Sequence, residues 1–483
     1  MSRPKTKSLV IGLAAAAVIA LAGMGGGYFW ETSRRATIAR QSAPAMPALQ
    51  NAHPELRRRI SAAMDELRDG SRPLETLGEL SSLYHANGYL SEASKCYRGL
   101  LQLDPDNPRW ADLQADIAAG FGNLEEAIPL YRVVIARAPE HEASRIHLGD
   151  ALLKLNRTAE AKTVFQEALS KNPANAYALL GSARCEIAAE QWAAASENLQ
   201  KCVRLEPDFG AAWALLATVA ERLKNTELSK IALARSGKNA RFHDIPDPWI
   251  EALLDDCYDS YKLRVAAAVA RSAGKDDTAA RLLERTLRLT SDDPAAHREL
   301  GKLRSAQKDF SEARAHLRRA VEFAPDDSEN WIAYVVMAQS AGDIPDATRS
   351  LLAGLAHNPN SPGLRLLNGR RLAALRDYDA ALAEFVAAQK LRPNEADAFV
   401  EIALVDLRRG QIDAAVQQLN AALNVELDHP MALLALIRIS IDRGERKTAD
   451  ELLARAALQS RIAAADLNDL QSAYQAKFSH ESH

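Results

Sequence analysis

Small and large apolar positions recur along this chain at a fixed spacing of 34 residues. Alanine stands at Ala93, Ala127, Ala161 and Ala195 and, after one break, at Ala279, Ala313, Ala347, Ala381, Ala415 and Ala449. Four residues after each comes a large apolar side chain: Tyr97, Tyr131, Phe165, Leu199, Leu283, Leu317, Leu351, Phe385, Leu419 and Leu453. A step of four keeps both on one helical face, so the small residue lets two helices approach and the large one fills the groove beside the contact. Five residues before the alanine, glycine recurs as Gly88, Gly122, Gly274, Gly342, Gly410 and Gly444, where the chain must turn. Proline closes the second helix at Pro105, Pro139, Pro173, Pro207, Pro325, Pro359 and Pro393. The pattern predicts an all-α chain of eleven helix–turn–helix units, starting at residues 74, 108, 142, 176, 210, 260, 294, 328, 362, 396 and 430.

These features resemble the tetratricopeptide repeat family, whose unit reads W-x2-L-G-x2-Y…A-x3-F…P. The segment 142–175 carries Leu148, Gly149, Ala161, Phe165, Ala168 and Pro173, and 377–394 carries Ala381, Phe385, Ala388 and Pro393. Trp213 and Trp331 fall at the tryptophan position of their units. The resemblance implies an α-solenoid that binds partner proteins along its inner face and needs no cofactor. The chain reads as a bacterial, membrane-anchored member of the family.

The unit at 210 is degraded, with Ser229 where alanine belongs and Arg241 where proline belongs. The single break in period follows it at HDIPDPWIEALLDDCY (243–258), where sixteen extra residues, 244–259, form an insert before the next unit. Asp247 before Pro248 reads as an N-cap and a first-turn proline, so the insert carries a short helix. A degraded unit is where a repeat stack kinks. The insert is therefore read as a joint between stacks 74–243 and 260–463, the alternative being one continuous superhelix with a bulge.

Residues 8–30 contain no charged side chain, long enough for one transmembrane helix within 1–30. Arg3, Lys5 and Lys7 precede it and Tyr28, Phe29 and Trp30 close it, an arrangement that leaves the N-terminus in the cytoplasm and the bulk of the chain periplasmic. The competing reading is a signal peptide cleaved near Ala22, which yields a soluble periplasmic protein. Residues 31–53 read as a linker within 31–73, 54–70 as an amphipathic capping helix, and 464–483 as a C-terminal cap and tail.

Composition narrows the function further. The net charge is −3, so no overall field draws in nucleic acid. The four cysteines form no CxxC pair; Cys185 and Cys202 lie on two helices of one unit, where either a bridge or two small buried residues fits. Phosphate loops, H-E-x-x-H and G-x-S-x-G are absent, and the segments outside the repeats are too short for a catalytic domain. His141 and His147 read as surface residues, and Asp255, Asp256 and Asp259 as a solvated turn without EF-hand spacing. The expectation is a protein without enzymatic activity, metal or cofactor, and nothing points to a homo-oligomer.

In the resembled family the inner face is lined by the second, fifth, ninth and twelfth positions of each first helix. Carried onto this chain, those positions give a basic run of Arg264, Arg271, Arg298 and Lys302. Earlier units are mixed, with Asp112, Asp116 and Asp150 against Arg184; later ones turn apolar through Ile332, Val336, Leu366, Val400 and Leu404. Guanidinium groups suit carboxylates through bidentate, charge-assisted bonds, so the basic run is the candidate seat for an acidic partner segment. The function this implies is a protein–protein scaffold in an envelope assembly or secretion complex. The alternative is an accessory subunit that recruits substrate to a separate membrane enzyme, such as polysaccharide or cofactor-maturation machinery.

Overall fold

The computed structural model describes residues 30–237, 244–457 and 462–478, and the described regular elements are all helical. Among the described residues no helix is long and apolar enough to cross a membrane. The expected span over 8–30 lies outside the described residues except for Trp30.

The chain divides into two compact units, 1–259 and 260–483. Unit 1 holds α1 (described over 30–42) and α2 (Pro54–Asp69), followed by five hairpins. These are α3/α4 (Pro73–Ala86, Leu90–Leu103), α5/α6 (Pro108–Gly120, Leu124–Arg137), α7/α8 (Glu142–Lys154, Thr158–Lys171), α9/α10 (Ala176–Ala188, Trp192–Leu205) and α11/α12 (Gly210–Arg222, Thr226–Gly237). A short α13 (Pro248–Leu253) and a 3-10 turn, Leu254–Asp256, complete it. Unit 2 holds six hairpins: α14/α15 (Ser260–Ser272, Asp276–Leu289), α16/α17 (Pro294–Ala306, Phe310–Phe323), α18/α19 (Ser328–Ser340, Ile344–His357), α20/α21 (Pro362–Ala374, Tyr378–Leu391), α22/α23 (Asp397–Arg408, Ile412–Val425) and α24/α25 (Pro430–Arg443, Arg446–Ala457). It ends in α26 (Ala464–Phe478). The hairpins match the eleven predicted units, and within each unit of the fold helices pack chiefly on their neighbours in sequence.

Local chemistry sets each hairpin. The ten in-phase alanines are at most 3% exposed, and the large residues four positions on are buried with them except for the half-buried Leu453. Phe165 shows how tightly the layers mesh. Its ring lies where a Cβ on Gly149 would come within 2.4 Å and one on Gly181 within 2.3 Å, so two successive first helices must be bare there. The turn between the helices places one residue in the left-handed region, as in Gly122 at φ 81° and Gly410 at φ 74°. First helices open on side-chain caps from Asn107, His141, Asn175, Asp293, Asp327, Ser361 and His429.

Three expectations need correction. Residues 31–53 are not a free spacer: 30–42 are helical, Ala36 and Ala39 are buried, and the Arg40 guanidinium donates to the Arg68 carbonyl at 3.1 Å. His141 is not a surface residue. It is 7% exposed, because its Nδ1 caps α7 and the insert covers its ring. Asp256 is not in a solvated turn, since Arg59 holds it at 2.7 Å. All four cysteines are free and buried.

Candidate partner-binding grooves

Within unit 2, the first helices α14, α16 and α18 bring three of the four predicted cations onto one pocket. Arg271, Arg298 and Lys302 form one wall and Ile332, Val336 and Met337 the other, around a volume of about 450 Å³. Arg264 does not line it: its guanidinium stacks over Tyr261 at 5.6 Å and pairs with Asp293 at 3.1 Å. The other three are also paired within the unit. Arg271 reaches Glu299 at 2.9 Å, Lys302 reaches the same carboxylate at 3.0 Å, and Arg298 reaches Asp327 at 2.7 Å. Burial pushes the Glu299 carboxyl up, but Lys302, Arg271 and Arg298 together outweigh that and hold it below the ordinary carboxylate range. The wall is thus a network of three cations on two carboxylates, Glu299 and Asp327, with donors to spare. A guanidinium carries five N–H donors, and Arg271 directs one to Glu299.

In unit 1 the first helices α5, α7 and α9 line a groove of about 700 Å³ that includes Asp116, Asp150, Tyr177 and Arg184. Asp150 pairs with Arg184 at 2.8 Å, and burial nevertheless raises its carboxyl above the usual value. One edge of this groove is occupied by the chain itself. Residues 244–258 run across the first helices in reverse order. The Tyr177 hydroxyl of α9 donates to the Asp244 carbonyl at 3.0 Å, and Asp244 faces His147 of α7 at 3.5 Å. Ile245 is buried among the apolar side chains of α5–α9. Trp249 stacks on His141 with ring centroids 4.0 Å apart. Asn87, at the end of α3, donates to the Asp256 carbonyl at 2.8 Å and accepts from the Tyr258 N–H at 2.7 Å. Finally Tyr258 stacks on His53 at 5.3 Å.

Where the insert crosses α5 and α7 it completes a buried polar cluster that sequence reasoning missed. Asp112, His141 and Asp247 are 1%, 7% and 5% exposed. Ser144 joins them: its Oγ donates to Asp112 Oδ1 and lies 2.8 Å from His141 Nδ1. Asp247 does act as the predicted cap, its Oδ1 accepting from the Trp249 and Ile250 N–H groups at 2.8 and 3.2 Å. Burial and the nearby Asp247 charge push the Asp112 carboxyl up to about 7. Burial also acts on Asp247, but the His141 ring 3.5 Å away and the two backbone N–H groups outweigh it and keep that carboxyl low. The cap was legible in Asp247–Pro248; the His141 partner, about a hundred residues upstream, carried no sequence signal.

Stacked helical hairpins presenting side chains on their first helices define a repeat scaffold. Tetratricopeptide repeat models match residues 118–167, 156–219 and 270–333, and a second set matches 80–142 and 366–428, together more than half of the chain. The chain belongs to the tetratricopeptide repeat family. It is 26% identical over 398 residues to "Cellulose synthase operon protein C" of Xanthomonas axonopodis pv. citri (strain 306), covering 74% of this chain. It spans 25% of that relative's length. Among solved structures, yeast Tom70 aligns at 14% identity and a TM-score of 0.41 over 84% of this chain and 96% of its own. MamA (41-end) from Desulfovibrio magneticus RS-1 aligns at 17% identity and 0.30 over 39% and 96%.

Proposed function

We propose that the protein is a non-catalytic scaffold that holds segments of partner proteins, with the unit 2 pocket as its principal seat. The observation that carries this is the facing of three cations against an apolar wall in one pocket of about 450 Å³. Such a pocket suits a partner segment with an acidic group beside an apolar side chain. The carboxylate adds to the Arg271–Glu299–Lys302 network through unused donors, and the apolar group covers Val336, which is 46% exposed. We further propose that residues 8–30 tether the chain to the cytoplasmic membrane and that the array works on its outer face, a reading supported by the uncharged run and the basic residues before it. Cleavage near Ala22 is the alternative, and sequencing the N-terminus of the mature protein decides between them.

A photoreactive residue at Val336, activated in cells, should crosslink a small set of partners identified by mass spectrometry. Combining it with Arg271→Glu and Lys302→Glu should remove those partners while the helical circular dichroism stays unchanged. Crosslinks that survive both reversals would remove the pocket from the proposal. The second reading, an accessory subunit of a membrane enzyme, is favoured by the similarity to a protein named for a cellulose synthase operon. On that reading the protein copurifies with a polymer-forming activity that it lacks alone.

A further inference from the structure

We propose that Asp112, His141 and Asp247 bind one first-row divalent ion of the zinc class, and that this ion fastens the 244–258 segment into unit 1. The three side chains come from separate pieces of chain: α5, the N-cap of α7 and the N-cap of α13. Each can offer one ligand atom, and those atoms lie within 4.8 Å of one another. The His141 Nε2 to Asp247 Oδ1 separation is 3.5 Å. Two ligands on a tetrahedral zinc ion, with bonds near 2.0–2.1 Å, stand about 3.3 Å apart.

Two observations point to a missing cation. The first is charge. The ion-pair partner of both buried carboxylates is His141, at 3.9 Å from Asp112 and 3.5 Å from Asp247. Among the described residues no lysine or arginine pairs with either. Two buried carboxylates against one imidazole need either a shared proton or a cation to balance them in a dry interior. The second is unmet bonding. His141 Nε2 and Asp247 Oδ2 are fully buried and have no hydrogen-bond partner. Buried polar atoms are rarely orphaned, and here two sit in the same cluster.

The surroundings are those of a supported metal ligand set. In the tautomer that donates its Nδ1–H to Ser144 Oγ, 2.8 Å away, the His141 ring is fixed and Nε2 is the free ligand nitrogen. Ser144 in turn orients Asp112 through its hydroxyl. Trp249 lies parallel to the imidazole at 11° and shuts its face from water. One nitrogen and two carboxylate oxygens favour zinc, cobalt, nickel or manganese over calcium and magnesium, which prefer all-oxygen sets. Three protein ligands leave a fourth position for water.

The test uses the full chain without an affinity tag, in detergent where the apolar N-terminal segment is retained. The protein is stripped with a chelator, then titrated with Co²⁺ and Zn²⁺. One equivalent of Co²⁺ per chain should bind with a visible absorption band that Zn²⁺ displaces. Asp247→Asn, which preserves the cap, and His141→Gln should each weaken binding at least about tenfold. Zinc should also slow amide exchange in residues 244–258 of the wild type and leave it unchanged in either variant. A folded wild type that takes up no metal would show a proton-bridged cluster only. That result, or uptake equally strong in both variants, overturns the proposal.

Discussion

The fifteenth residue of each hairpin unit sits in the left-handed region, whether or not it is glycine. Asn156, Glu190, Lys224, Lys308 and Arg376 take φ values of 58–64° there, beside Gly88 and its five counterparts at 71–84°. A side chain in that region costs roughly 1–2 kcal/mol, offset in part by glycine's larger entropy loss on folding. Glu190→Gly and Arg376→Gly should therefore each stabilise their hairpin by about 0.5–1 kcal/mol. Local amide-exchange free energies check this, and a loss of protection at both sites would contradict it. The opposite effect is expected where glycine makes room. Gly149→Ala or Gly181→Ala pushes a methyl into the Phe165 ring, whose nearest atoms lie 2.4 and 2.3 Å from the new carbon. Overpacking of this kind costs about 1–3 kcal/mol. A thermal melt should show the loss, and Phe165→Leu in the same chain should recover part of it.

At the level of elements, hairpin positions were legible because the period fixes them: ten appear where the in-phase alanines put them, and the 34-residue step alone places the degraded one at 210. The clustering of Arg271, Arg298 and Lys302 was legible through the same register. Their acidic partners were overlooked, although the signal was present: Asp293, Glu299 and Asp327 follow Arg264, Arg271 and Arg298 by 28 or 29 residues, one hairpin later. The docking of the insert was not legible. It depends on pairs such as Arg59 with Asp256, 197 residues apart, which no periodicity encodes. That docking should respond to pH through His147 and Asp244. Burial lowers the His147 value, but the Asp244 carboxylate outweighs this and raises it; Asp244 is held low chiefly by the same bond. The histidine contribution is complete below its unfolded value, about 6.5, and is lost as pH rises through the higher folded value. The aspartate contribution is present above about 3.9 and is lost as pH falls through its depressed folded value. The clasp is therefore strongest between about pH 4 and 6.5. In chelator-treated protein, exchange protection of 244–250 should exceed that of His147→Gln more at about pH 5.5 than at about pH 8; an equal difference at both would contradict the assignment.

At the scale of the whole molecule, the two units are held by contacts of very different reach. In unit 2, side-chain bonds such as Arg298 to Asp327 and Lys477 to the Asp442 carbonyl join residues 29 and 35 apart. Unit 1 adds bonds across 169, 171 and 197 residues where the insert returns to α2 and α3. Closing a loop that long costs about 1.5 kcal/mol more entropy than closing one of a single repeat. Pulse-labelled refolding should therefore protect the hairpin amides of both units first and those of 244–258 last. Protection of the insert in the earliest phase would show that it docks before its hairpins are built. Synthesis imposes the same order. At about 5–20 residues per second, the interval between the appearance of His141 and that of Asp247 is roughly 5–20 s. For that time the nascent chain displays an uncovered acceptor for any neighbouring polypeptide, and it closes only when its own later sequence emerges.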